Sequence, residues 1–180
     1  YNTKTQFAQK ALLLQKSRQL IRAESPTCQK TAKQFCSKSS RTKEMQKILI
    51  DSGPLIALFD ADDKHHKKAV NFVRENKLPL VTTLASITET LHLLDFNRNA
   101  QIDFLDWISK GAVEVHNIEV PAFNRLRDLT IKYKDLPMDF ADACLVYLAE
   151  ELNITKIATI DRDFTIYRIK NKKKFELALS

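Results

Sequence analysis

Glycine is nearly absent: the 180-residue chain holds only Gly53 and Gly111. Phosphate-cradling and dinucleotide loops need two or three glycines within a few residues, so neither can be built here. Cysteine is scarce as well, limited to Cys28, Cys36 and Cys144. No paired CxxC and no HExxH run gives zinc-ligand spacing; Cys28 and Cys36 sit in a polar stretch, and Cys144 reads as a small hydrophobe in an apolar helix. Neither a disulfide nor a zinc site is expected. No GxSxG elbow or Cys-His arrangement supplies a nucleophile. No apolar run approaches the ~20 residues of a membrane span, and the opening YNTKTQFAQK lacks the charged-then-apolar layout of a signal peptide. A cytoplasmic protein without membrane attachment is the expectation.

What remains is an ordinary globular composition, 44% hydrophobic and 28% charged, with an uneven charge distribution. Residues 1–44 carry ten Lys or Arg against Glu24 and Glu44, a net of +8, so residues 45–180 hold 19 against 20, a net of −1. The first segment lacks a starting methionine, is rich in Lys, Gln, Ser and Thr, and offers one helix over 6–22. The expected organisation is therefore a basic extension over 1–44, disordered or non-native, and one domain over 45–180 beginning at Met45. An RNA-binding arm is the sharper alternative for the extension.

Within the domain, strands alternate with amphipathic helices, which implies a parallel sheet between two helical layers. Ile48 to Ile50 form an unbroken apolar run that stops at Asp51, and KIATIDRDF repeats the arrangement with Lys156 to Ile160 ending at Asp161. Carboxyl ends of parallel strands are where such folds bind ligands. Ser52 is placed to cap a helix over Pro54 to Asp60, Gly53 allows close approach, and Pro54 suits a first helical turn. Further helices are expected over 63–76, 84–96, 100–110, 121–134 and 136–153, with strands over 79–82 and 112–118. In the third helix Leu84, Ile87, Leu91 and Leu94 form the apolar stripe, leaving Glu89 on another face. His65 and His66 read as solvated residues near a helix start, since no third ligand has matching spacing. From Phe140 to Ala149 the chain is apolar except at Asp142, so that carboxylate needs a cation, a hydrogen-bond network or a raised pKa. Asp139, three residues earlier, shares its face.

Asp51, Glu89, Asp142 and Asp161 thus have reasons to converge, and unpaired carboxylates repel one another. A hard divalent cation, Mg²⁺ or Mn²⁺, relieves that repulsion and suits phosphodiester hydrolysis. The stretches ILIDSGPLIALFDADDKHH, TTLASITETLHLL and LPMDFADACLVYLAEELNITKIATIDRDF, in this order, resemble the PIN-domain ribonucleases, most closely VapC-type toxins of bacterial and archaeal toxin-antitoxin pairs. The resemblance covers about Met45 to Arg168. It implies a three-layer αβα sandwich with a central parallel sheet, and an Mg²⁺- or Mn²⁺-dependent endoribonuclease acting as a toxin. It also places a metal-holding catalytic quartet on Asp51, Glu89, Asp142 and Asp161, with Asp139 and Asp163 auxiliary and Ser52 in polar support. RNA as substrate, an antitoxin protein as partner and a homodimer follow from the same resemblance. Because the domain is near neutral, RNA contacts fall to local groups such as Lys64, Lys67, Arg162, Arg168 and Lys172 to Lys174. The alternatives are a PIN-like module that binds RNA or protein without cutting, and a receiver-type domain. The latter lacks its expected aspartate and lysine, because the strand over 112–118 reaches Asn117 and Glu119 instead.

Overall fold

The structure, a computed structural model, describes residues 46–136 and 138–179. The basic extension over 1–44, its helix over 6–22 and the start at Met45 lie outside the described residues.

Strand β1 (Ile48–Ile50) is buried along its whole length and lies at the centre of a five-stranded sheet. Every pairing is parallel: Leu49 stands opposite Val81 of β2 (Leu80–Thr83) and Ile157 of β4 (Lys156–Ala158). β3 (Glu114–His116) extends the sheet beyond β2, and β7 (Glu176–Leu177) extends it beyond β4. Alternation along β1 divides the core between two faces. Ile48 and Ile50 pack with α1 (Ser52–Phe59), α2 (His66–Glu75), α3 (Leu84–Leu93) and α4 (Arg98–Ser109). Leu49 faces the other way, toward α5 (Phe123–Lys132) and α6 (Phe140–Leu152). This is the αβα sandwich expected. Trp107 and Phe104 of α4 meet the Phe59 ring edge-on, at 5.8 and 5.3 Å, closing the first layer.

Several boundaries differ from the sequence expectation, each for a local reason. α1 begins at Ser52, with Asp51 rather than Ser52 as its cap: Asp51 Oδ1 accepts from the Ser52 amide at 2.7 Å. The helix expected from Leu136 begins at Phe140, because Asp139 Oδ1 accepts from the Asp142 amide at 2.8 Å and caps it there. It ends at Asn153, whose φ of 52° closes it in the left-handed conformation. β4 stops at Ala158, since the next residue turns its hydroxyl toward Asp51. β3 is shorter than 112–118, and Gly111, at φ 74°, makes the left-handed step after α4. Leu84 is half exposed; the buried face of α3 is Ser86, Ile87 and Thr90, whose hydroxyls are satisfied locally. A Cβ on Gly53 would stand 2.7 Å from the Ile160 side chain, so that glycine serves packing between α1 and the β4 exit. Beyond β4 the chain makes a separate antiparallel pair, β5 (Arg168–Ile169) with β6 (Lys173–Lys174), before β7. Sequence periodicity indicated neither β7 nor this hairpin.

Candidate active site

Parallel strands send their carboxyl ends, and the N-termini of α1, α3 and α6, to one edge of the sheet. There a cleft of about 270 Å³ is lined by Asp51, Glu89, Asp139, Asp142, Asp161 and Asp163, together with Ser52. All six acids singled out from the sequence reach this one place. The larger cavity, about 420 Å³, is lined by Ile48, Lys156 and Glu176 at the opposite edge and holds none of them.

Asp51 is held on both carboxylate oxygens. Oδ1 accepts from the Ser52 amide, and Oδ2 accepts from the Thr159 hydroxyl at 2.8 Å, a contact between residues 108 positions apart. Burial nevertheless dominates: only 5% of the residue is exposed, and its pKa is pushed up to about 6 by desolvation, with the Thr159 and Ser52 bonds pulling it back and Glu89 and Asp139 adding repulsion. Asp142, 7% exposed, goes further, to about 8, through desolvation and then the charges of Asp139 and Asp51; the Tyr167 hydroxyl, donating to Oδ2 at 3.2 Å, opposes the rise. Glu89 is raised by desolvation, lowered by the Ser52 hydroxyl and raised again by Asp139. The 3.4 Å approach of that hydroxyl to Asp51 Oδ1 is then a weak contact.

Thr159 also accepts from the Asp161 amide at 2.9 Å, and the Asp163 amide donates to Asp161 Oδ1 at 2.9 Å. One buried hydroxyl therefore ties the Asp51 carboxylate to the loop that carries Asp161 and Asp163. Thr159 and Tyr167 were not anticipated. The only sequence signal was a threonine two residues before Asp161 in an otherwise apolar strand.

The basic candidates lie apart from the cleft lining. Lys64, Lys67 and Arg162 are exposed. Arg168 is half-buried, and its Nη1 donates to the carbonyls of Thr165, Ile166 and Tyr167 at 2.7 to 2.8 Å, which makes it a local brace. Cys144 is fully buried, and desolvation pushes its thiol up to about 12, as suits a small hydrophobe.

Among the described residues, no three His, Cys, Asp or Glu side chains form a group that would hold a metal ion as they stand. The donor chemistry nonetheless suits a hard divalent cation: every ligand in the cleft is oxygen, and Asp51, Glu89 and Asp142 are all raised because burial and like charge go uncompensated. No helix among the described residues is long and apolar enough to cross a membrane.

A family model described as PIN domain matches residues 48–170. The fold is similar to the crystal structure of Mycobacterium tuberculosis VapC20, described as a Sarcin-Ricin loop cleaving toxin. That match has 19% identity and a TM-score of 0.62, and covers 66% of this chain and 93% of that one. No curated protein matches the chain by sequence.

Proposed function

Since the chain belongs to the PIN-domain family, we propose that it is a divalent-metal-dependent endoribonuclease and that it acts as the toxin of a toxin-antitoxin pair. The observation that carries this reading is the acidic cleft, where Asp51 and Asp142, both nearly sealed from solvent, face Glu89 and Asp161 with no cationic side chain among the lining residues. Acids arranged this way disfavour an anionic ligand unless a cation joins them.

Asp51, Glu89, Asp142 and Asp161 would hold Mg²⁺ or Mn²⁺, with Asp139 and Asp163 at its margin. When bound, the cation supplies Lewis acidity toward water and neutralises charge on the phosphodiester under in-line attack. The chain itself supplies fixed geometry. Thr159 and the Ser52 amide orient both oxygens of Asp51, Tyr167 orients Asp142, and the two aspartates lie at helix N-termini whose dipoles favour the ionised forms the cation requires.

The test is cleavage of purified RNA with Mg²⁺ or Mn²⁺ against a chelator control, including an RNA bearing the sarcin-ricin loop that the structural neighbour cuts. Metal-dependent cutting by the wild type, lost in Asp142→Asn with folding retained, is the expected result. Intact RNA in every condition would favour a module that binds without cutting. The antitoxin and the homodimer rest on the resemblance alone. Sedimentation at high concentration that finds only a monomer would remove the dimer.

A further inference from the structure

Although residues 45–180 sum to −1, one run within them is strongly basic. Residues 162–174, RDFTIYRIKNKKK, carry Arg162, Arg168, Lys170, Lys172, Lys173 and Lys174 against Asp163 alone. That is +5 here and −6 over the rest of 45–180.

This run is pinned from beneath by Phe164, Tyr167 and Ile169, all in the core, while Arg162, Lys170, Lys172, Lys173 and Lys174 are exposed. It leaves the cleft at Asp161 and Asp163 and reaches the far end of α6, where Lys170 Nζ approaches Glu151 at 3.3 Å and Lys173 Nζ donates to Asn153 at 3.0 Å. Glu151 is nine residues after Asp142, ~14 Å along the helix at 1.5 Å per residue. The strip is also tied at its base. The Arg168 amide donates to the Tyr133 hydroxyl at 2.9 Å, its guanidinium braces the preceding turn, and Lys172 holds a left-handed φ of 63° that non-glycine residues seldom adopt. A hairpin outside the main sheet thus presents lysines at a fixed distance from the acids.

We propose that this strip is the path along which single-stranded RNA leaves the acidic cleft, with Lys172, Lys173 and Lys174 holding phosphates at least about four nucleotides from the reacting one, at ~3.4 Å per stacked nucleotide. The inference rests on the nuclease reading. It adds a direction and a minimum length to RNA binding, because within residues 45–180 positive charge gathers in this strip while the rest sums to −6.

The test uses the full chain carrying Asp51→Asn, to keep RNA intact, with fluorescein-labelled oligouridylates of 4 and 12 nucleotides read by anisotropy across a salt series. Lys172, Lys173 and Lys174 are changed to Gln together. A second variant, Lys172→Gln with Lys174→Gln, spares the Asn153 contact in case the triple melts early. Lys68, Lys77 and Lys110 to Gln make the same charge change in the opposite helical layer. The hairpin triple should weaken the 12-mer about tenfold or more at 0.1 M salt and lower the salt slope by about 2, three phosphates at ~0.7 each. The 4-mer and the Lys68, Lys77, Lys110 variant should stay within about twofold. Equal losses from both triples, equal losses for both lengths, or no loss would overturn the strip. Failure of the parent to bind either RNA, together with no cleavage by the wild type, would instead remove the nuclease reading on which it depends.

Discussion

Tyr167 has its hydroxyl 3.2 Å from Asp142 Oδ2 and its ring fully buried, edge-on to Tyr133 and Phe164 at 5.1 and 5.3 Å. Burial and the nearby Asp142 charge raise the phenol, so it remains a donor at any pH the protein meets. Tyr167→Phe keeps the ring and deletes the donor. The expected stability cost is about 1 kcal/mol, the net worth of one hydrogen bond. Asp142 also loses a partner that favours its ionised form, so its pKa climbs further and protons compete harder with the cation for its oxygens. A pH profile of RNA cleavage should then show its acid limb moved to higher pH at unchanged substrate affinity; an unmoved limb would leave Tyr167 a packing residue only. Thr159→Val should act on Asp51 in the same direction from about 6 and be more costly, about 1 to 3 kcal/mol, because it also strips the Asp161 amide of its acceptor.

Among the elements, α6 carries most of the strain between burial and charge. Glu150, 1% exposed in its side chain, takes Arg125 Nε and Nη2 of α5 in a bidentate pair at 2.8 and 2.7 Å, which locks the two helices together. Arg125→Leu should cost about 2 to 3 kcal/mol by stranding a buried carboxylate, whereas Arg125→Leu with Glu150→Leu should recover most of it. Chemical denaturation of the singles and the double measures this directly, and an additive double would mean no coupling. The same helix marks what the sequence could disclose. Its apolar circumference and the lone Asp142 were readable from periodicity, as were β1, its terminal Asp51 and the alternation of helix and strand. Its start was not: the chain reads as helical from Leu136, and only the Asp142 amide, donating to Asp139, shows that the helix begins at Phe140. The Thr159 bond to Asp51 and the Tyr167 bond to Asp142 were hidden for another reason: they join residues 108 and 25 positions apart, and no local pattern encodes such a meeting. β7 and the lysine hairpin are two-residue strands, too short for alternation to register.

At the scale of the whole molecule, the acids set how stability responds to pH and to metal. In the metal-free fold burial, and then like charge, push Asp51 up to about 6 and Asp142 up to about 8, above the usual carboxylate value of 3.8. The folded state therefore binds more protons than the unfolded chain between about pH 4 and pH 8. Stability from these groups is fully present below that window and is lost as pH rises through it. Metal-free melting temperature should accordingly fall from mildly acidic to mildly alkaline pH, the reverse of a protein held by ionised salt bridges. A divalent cation competes for the same oxygens and requires them ionised, so its effect should grow as pH rises. At one hundred times its dissociation constant, Mn²⁺ should add about 2.7 kcal/mol, provided the unfolded chain does not bind it. Asp51→Asn should remove most of the metal shift and also raise metal-free stability at neutral pH, because one repelling charge leaves the cluster. Melting curves for wild type and Asp51→Asn, at pH 5.5 and 8 with and without Mn²⁺, test these statements together. Equal metal shifts in the two proteins, or a metal-free melting temperature that rises with pH, would mean that the carboxylates of this cleft do not act as one coupled cation site.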